Sequence, residues 1–284
     1  MEILRTISEL KAYSEKARKE GKSIGLVPTM GALHKGHLSL MEKAVRDNDI
    51  AIASIFVNPI QFNNPADLAA YPHTEEADCR LLSDAGVSAA FIPTVDEIYP
   101  KALPGDVKHY DLGEVAEVME GAYRPGHFQG VAAIVDRLMR WSAADRAYFG
   151  EKDFQQIAVV RRMTETEGID IEIIACPIVR ESDGLALSSR NVRLSESQRN
   201  MAPGIFKALK DSVEYSMTHS PKETIDEVVR VVNDIPECKV EYFSIVDADT
   251  LQPVEDWSKV SRRIQGCITV YCGDVRLIDN IQYR

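Results

Sequence analysis

Through the first two-thirds of the chain, short apolar runs alternate with amphipathic stretches, the order expected where parallel strands are joined by crossover helices. The apolar runs predict strands at Ser23–Val27, Ile50–Val57, Ala89–Ile92, Ala147–Phe149 and Ile171–Cys176. Their Ile, Val and Phe content suits burial on both faces of a sheet. The amphipathic stretches predict helices near Ile7–Glu20, Leu38–Asp47, Glu75–Ala85, Val131–Trp141 and Gln155–Glu167. Gly86 and Gly168 follow two of these, where a positive φ commonly ends a helix. From about Ser195 the pattern changes. Two long helical stretches, Glu196–Thr218 and Glu223–Asn233, precede three apolar runs with no helix between them, Val240–Val246, Cys267–Cys272 and Val275–Ile278. Gly273-Asp274 predicts a tight turn between the last two runs. The expected fold is α/β, a doubly wound parallel sheet over residues 1–180 with a second, smaller α+β C-terminal domain over residues 181–284.

Composition narrows the classes of function. The formal net charge of -11 argues against holding nucleic acid by broad phosphate neutralisation, which needs a basic face. A polyanionic ligand must instead meet a local basic cluster. The five cysteines are odd in number and lack the paired short spacings of zinc sites or disulfide frameworks, which fits reduced thiols in a cytoplasm. The first 18 residues are charged throughout, and no later stretch approaches about 18 uninterrupted apolar residues, so neither secretion nor membrane spanning is expected.

Three clusters carry candidate chemistry. The first, Pro28-Thr29-Met30-Gly31-Ala32-Leu33-His34-Lys35-Gly36-His37, sits where a buried strand ends and a helix begins. That is where open α/β sheets bind ligands and where helix N-termini offer unpaired N–H groups to anions. Gly31 and Gly36 allow close backbone approach. His34 and His37 can present both imidazoles on one side, as hydrogen-bond donors to phosphate. Zinc would need a third or fourth ligand, and no other Cys or His lies nearby in sequence. The second cluster, Phe149-Gly150-Glu151-Lys152-Asp153-Phe154-Gln155-Gln156, follows a strand and leads into a helix. The third, Leu187-Ser188-Ser189-Arg190-Asn191, follows the strand-like Ile173–Val179. By itself the second reads as a solvated turn and the third as a helix N-cap region. Together they supply a lysine point charge, a guanidinium fork and two hydroxyls, which is what a polyphosphate needs. Neither a Walker-type glycine-lysine loop nor a Gly-x-Gly-x-x-Gly element is present.

With Val57-Asn58-Pro59-Ile60-Gln61-Phe62 and Gly121-Ala122-Tyr123-Arg124-Pro125-Gly126-His127-Phe128 between them, these clusters resemble, in the same order, the pantothenate synthetase family. That family lies within the His-x-Gly-His nucleotidyltransferases, with a Rossmann-like fold. The resemblance covers nearly the whole chain. It implies an ATP site made by Met30, Gly31, Ala32, Leu33, His34, Lys35, Gly36 and His37 on one side. Gly150, Glu151, Lys152, Asp153, Val179, Leu187, Ser188, Ser189 and Arg190 complete it. Leu187 stands where the family usually has Met, a near-isosteric exchange. Gln61 and Gln156 match the pantoate-binding glutamines, with Asn58 and Arg124 as further candidates for pantoate or β-alanine. The implied reaction is ATP-dependent condensation of pantoate with β-alanine through a pantoyl-adenylate, releasing AMP and pyrophosphate, in a cytoplasmic homodimer.

A carboxylate attacking the α-phosphate brings two anions together, so cations at the phosphates are indispensable. In this reading Mg²⁺, Lys152, Arg190 and the two histidines stabilise the departing charge, with His37 as proton donor. Metal ligands are not identified by the sequence, with Asp78 a loose candidate. The alternatives are a nucleotidyltransferase acting on another small acid or phosphate, and a non-catalytic module that senses ATP.

Overall fold

The computed structural model describes residues 1–100, 108–260 and 262–284. Six parallel strands form the larger sheet: β1 (Glu2–Leu4), β2 (Ile24–Thr29), β3 (Ile50–Ile55), β4 (Ala89–Phe91), β5 (Arg146–Gly150) and β6 (Glu172–Cys176), in the order β1-β4-β3-β2-β5-β6. β2 is buried along almost its whole length because helices cover both faces, which is why the sequence reads as a continuous apolar run. From β2 the chain first winds outward through β3 to β4. It then returns to place β5 on the other side of β2. The strand order therefore reverses between β2 and β5, and the crevice beyond the carboxyl ends of these two strands is where such sheets bind ligands.

The second sheet is antiparallel: β7 (Cys238–Asp247), β8 (Ile264–Cys272) and β9 (Val275–Gln282). Gly273, at φ +55°, makes the two-residue turn between β8 and β9 that Gly273-Asp274 predicts. Helices Pro203–Tyr215 and Pro221–Asn233 cover this sheet and bury Ile205, Leu209, Val228 and Val232 against Ile245, Ile268 and Val270. The parallel sheet has separate apolar layers on its two faces, one around Leu26, Ile52 and Phe91, the other around Val27, Met41 and Tyr148.

Element boundaries differ from the sequence reading for local reasons. The predicted helix Glu196–Thr218 is two helices, Glu196–Met201 and Pro203–Tyr215, because Pro203 has no N–H to continue the first. The helix expected from Leu38 starts at Lys35, because His34 caps it, and that from Val131 starts at His127. β1 and the short turns Pro59–Gln61, Pro65–Ala69 and Glu151–Asp153 have too few residues for a periodic signal. Residues 177–179 lie outside strand β6.

Candidate active site

Beyond the carboxyl ends of β2 and β5 lies a cavity lined on one side by Met30, His34, Gly36 and His37. On the others it is lined by Gly150, Lys152, Asp153, Gln156, Val179 and Leu187–Arg190, and by Asn58 and Gln61. Of the residues the sequence assigns to nucleotide, Gly31, Ala32, Leu33, Lys35 and Glu151 do not reach this lining.

The first three of these have a different task. Gly31 at φ +78° and Ala32 at φ +50° fold the chain sharply after β2. A side chain at 31 would bring a Cβ to 2.9 Å from Asp78 Oδ2 and 3.0 Å from Ile55 Cγ2, so glycine is required there for space as well as for conformation. Buried Asp78 accepts the N–H groups of Ala32 (3.0 Å) and Leu33 (2.8 Å) and the hydroxyl of Thr74 (3.1 Å). Both Asp78 oxygens are thus engaged in holding the turn.

The turn delivers two histidines in a defined state. The Gly36 N–H donates to His34 Nδ1 (3.1 Å), and the His34 N–H donates to His37 Nδ1 (3.3 Å), which together cap the helix Lys35–Asp47. Both Nδ1 atoms are therefore acceptors, and each neutral ring carries its proton on Nε2. Burial lowers the pKa of His34 to about 4, helped by the charge of Lys152. Burial, His34 and Lys152 lower that of His37 to about 3. The rings lie 4.1 Å apart between centroids. They are a pair of neutral N–H donors.

Across the cavity, the ammonium of Lys152 has no acceptor or counter-ion in contact among the described residues. Burial lowers its pKa, Asp153 opposes that, and Arg190 adds to it. Asp153 likewise makes no side-chain hydrogen bond among the described residues. Arg190 is engaged: its Nη2 donates to Asp67 Oδ2 (3.0 Å), and Asp67 also takes Arg193 (2.7 Å). Tyr71, which carries no signal in the sequence, lines the cavity with its hydroxyl 3.4 Å from Ser189 Oγ.

The orientation of the Gln61 amide can be deduced. The Gly130 carbonyl can only accept, so Asn58 Nδ2 donates to it (2.9 Å) and also to Gln61 Oε1 (3.0 Å), while Asn58 Oδ1 accepts from Tyr99 (2.9 Å). Gln61 therefore presents its NH₂ group to the cavity, 3.3 Å from Met30 Sδ. Asn58 is buried with all these groups satisfied, and orients Gln61 from behind. Gly130 permits this approach, because a Cβ there would lie 2.7 Å from Gln61 Cα and from the Ile60 carbonyl oxygen.

The adjacent glutamines divide their work. Gln155 is buried and accepts from the Glu120 N–H (2.9 Å) while donating to the carbonyls of Val115 (2.8 Å) and Val118 (2.7 Å). Gln156 faces the cavity with its amide unpaired among the described residues.

Arg124 lies off this cavity. It contacts Glu120 (3.5 Å), His127 Nε2 (3.2 Å) and the Gln61 carbonyl (3.4 Å). Its neighbour Glu120 is buried in a hub with Arg276 (2.6 and 2.8 Å), Tyr242 (2.8 Å) and Thr269 (3.0 Å). Burial works to raise the Glu120 pKa, but Arg276 and its other partners overcome it and bring the value to about 2.

Comparison with known proteins agrees with this geometry. A family model described as pantoate-beta-alanine ligase matches residues 2–282. The pantothenate synthetase of Porphyromonas gingivalis is 53% identical over 284 residues, covering 100% of both chains. The crystal structure of pantothenate synthetase from Thermus thermophilus matches with a TM-score of 0.90 at 42% identity, covering 99% of each chain. The pantoate-beta-alanine ligase of Francisella tularensis, solved with beta-gamma ATP and beta-alanine, matches with a TM-score of 0.82 at 34% identity, covering 100% of this chain and 98% of that one.

Proposed function

The chain belongs to the pantoate-beta-alanine ligase family, and from that premise we propose how its residues divide the reaction. It is an ATP-dependent ligase that joins pantoate to β-alanine through a pantoyl-adenylate, giving pantothenate, AMP and pyrophosphate. The observation that carries the assignment of roles is convergence. An ammonium without a protein counter-ion among the described residues and two neutral Nε2–H donors meet across one cavity, with the amides of Gln61 and Gln156 beside them.

In the first step a pantoate carboxylate oxygen bonds to the α-phosphorus of ATP as the bond to the β-phosphate oxygen breaks. His34 and His37 donate hydrogen bonds to phosphate oxygens, and Lys152 neutralises charge that grows on the departing pyrophosphate. Ser188, Ser189 and the backbone of Gly36 and Gly150 supply further contacts. Arg190 joins them when phosphate competes with Asp67. Gln61 and Gln156 donate to the acid and hold its carboxylate in line. In the second step the neutral amine of β-alanine attacks the acyl carbon and AMP leaves.

The donor set also fits Mg²⁺ carried in with ATP. Among the described residues no cluster of three or more His, Cys, Asp or Glu side chains could hold a metal by itself. Asp153 and the two serine hydroxyls nevertheless offer hard oxygen donors beside the phosphates, and Mg²⁺ needs few protein ligands when phosphate oxygens and water supply the rest. Its chemistry there is charge neutralisation on the phosphates.

We further infer a domain boundary near residue 180, supported by one large apolar core that begins at Leu185 and two that draw on residues up to Cys176, with a small cluster of Met119, Val246, Leu251 and Cys267 joining the two sides. A cytoplasmic location is supported by five free thiols and by use of ATP. A homodimer is inferred from the family resemblance, and light scattering checks it. The deciding assay supplies ATP, pantoate and β-alanine and measures AMP. Stoichiometric AMP and pantothenate are expected, whereas retention of the nucleotide on the product, or ATP binding without turnover, would refute the reading.

A further inference from the structure

The loop that carries Lys152 is held by the other sheet. Asn280 in β9 is only 4% exposed, and its Nδ2 donates to two consecutive carbonyls, those of Glu151 (2.8 Å) and Lys152 (3.1 Å). The orientation of this amide is fixed, because the two carbonyls can only accept; Asn280 Oδ1 then accepts from Gln265 Nε2 (2.7 Å) on β8. The strand itself is pinned at the preceding residue, where Asp279 receives both guanidinium nitrogens of Arg180 (2.6 and 2.8 Å). A second and more exposed tether joins Arg263 to Glu151 Oε1 (3.1 Å).

Among the described residues no hydrogen bond joins the Asn280 side chain to the histidine turn or to Gln61 or Gln156. Because the Lys152 side chain has no protein partner among the described residues, its backbone is what aims it. We propose that Asn280 is a positioning residue for adenylation: the small antiparallel sheet aims the Lys152 ammonium at the leaving phosphates by fixing the two carbonyls of its loop. This rests on the role of Lys152 given above, and it assigns a residue 128 positions away to the same step. Amide donation to two acceptors is a demand that an apolar or acidic side chain of the same size cannot meet.

Asn280→Asp keeps the shape of the side chain and turns its donor end into an acceptor facing two carbonyls. The test is a double-mutant cycle of Asn280→Asp with Lys152→Ala, read by pantoate-dependent exchange of labelled pyrophosphate into ATP. Asn280→Asp alone is expected to lower kcat for exchange roughly ten- to a hundredfold, with KM for pantoate within about twofold of wild type and supplied pantoyl-adenylate still consumed. In the Lys152→Ala background the same change is expected to have almost no further effect. An equal loss in both backgrounds, or equal slowing of both half-reactions, would overturn the proposal, because either shows a general structural role. Asn280→Ser is smaller and keeps one donor, and it goes through the same cycle to decide the matter if the aspartate variant does not fold. Exchange by the wild-type enzyme is read separately: its absence would count against the ligase roles, whereas additivity counts against Asn280 alone.

Discussion

The two walls of the phosphate site are built on different plans. The histidine turn is held from within the larger domain: Asp78, on the helix Glu75–Asp84, fixes the backbone of Ala32 and Leu33, and the N–H groups of Gly36 and His34 lock the rings of His34 and His37 into one tautomer. The lysine loop is held from outside, by Asn280 and Arg263 of the antiparallel sheet. One wall is therefore complete once the parallel sheet folds, while the other is complete only when the second sheet is seated on it. Neutral donors suit the first, since they sit near phosphate without a fixed charge to desolvate. A cation suits the second, if its charge meets the departing pyrophosphate as proposed.

The sharpest way to break this comparison is Lys152→Ala. It should slow pantoate-dependent pyrophosphate exchange by roughly a hundred- to a thousandfold, the 2.7–4 kcal/mol typical of a lost charge-stabilising donor, while supplied pantoyl-adenylate still reacts with β-alanine. Equal slowing of the two half-reactions would show that the lysine organises the whole site. On the opposite wall, Asp78→Ala leaves two backbone N–H groups without their acceptor and should lower the unfolding free energy by about 3 kcal/mol in a urea titration. An unchanged midpoint would mean that the turn holds itself.

The paired glutamines give a smaller contrast. Gln61→Ala and Gln156→Ala should each cut efficiency with pantoate by up to about a hundredfold, or roughly 1–3 kcal/mol, with the KM for ATP little moved. Gln155→Ala, one residue away, should instead reduce stability by about the same amount and leave the pantoate KM alone, because its amide bonds only to protein. Steady-state kinetics and thermal melts on the three variants separate the roles.

The mildest probe is pH, and it acts on the two walls from opposite ends. His37 titrates near 6.5 when unfolded and near 3 when folded, and His34 near 4, so between those values the unfolded chain binds more protons. Stability should therefore fall as pH drops from about 6.5, by up to about 1.4 kcal/mol per pH unit for the well-buried His37, and His37→Gln should flatten the slope. At the alkaline end, the lowered pKa of Lys152 should bring loss of exchange activity below the usual range for lysine titration, while the fold gains stability through the same range because the unfolded chain there binds more protons. A profile flat through that range would contradict the buried-cation reading.

What the sequence made legible was local. Apolar runs located five of the six parallel strands, and strand-to-helix junctions picked out both walls, because the chemistry of each wall lies within about ten residues. The residues that hold those walls were invisible for a physical reason: Asp78 acts 46 positions from Ala32, and Asn280 acts 128 positions from Lys152. Each looks alone like an ordinary polar residue. Spacing also could not separate Gln155 from Gln156, since a helix turns by about 100° per residue and only packing decides which one faces the ligand. Asn58 and Arg124 are further substrate candidates from the resemblance, and packing alone shows that Asn58 also bonds Gly130 and Gln61 while Arg124 bonds His127 and Gln61.

The glycine at 130 gives the acid end of the cavity a particular evolutionary handle. Its missing side chain lets the helix His127–Ser142 lie directly against the backbone of Ile60 and Gln61. A single added methyl there would meet backbone atoms of both residues, so the turn Pro59–Gln61 would have to move as a unit and carry the Gln61 amide with it. If Gln61 holds the acid as proposed, the reach of the site is adjustable from position 130, which lies outside the cavity lining. A library built on residue 130, with compensating changes at Asn58, would explore substrate range while leaving both phosphate-binding walls intact.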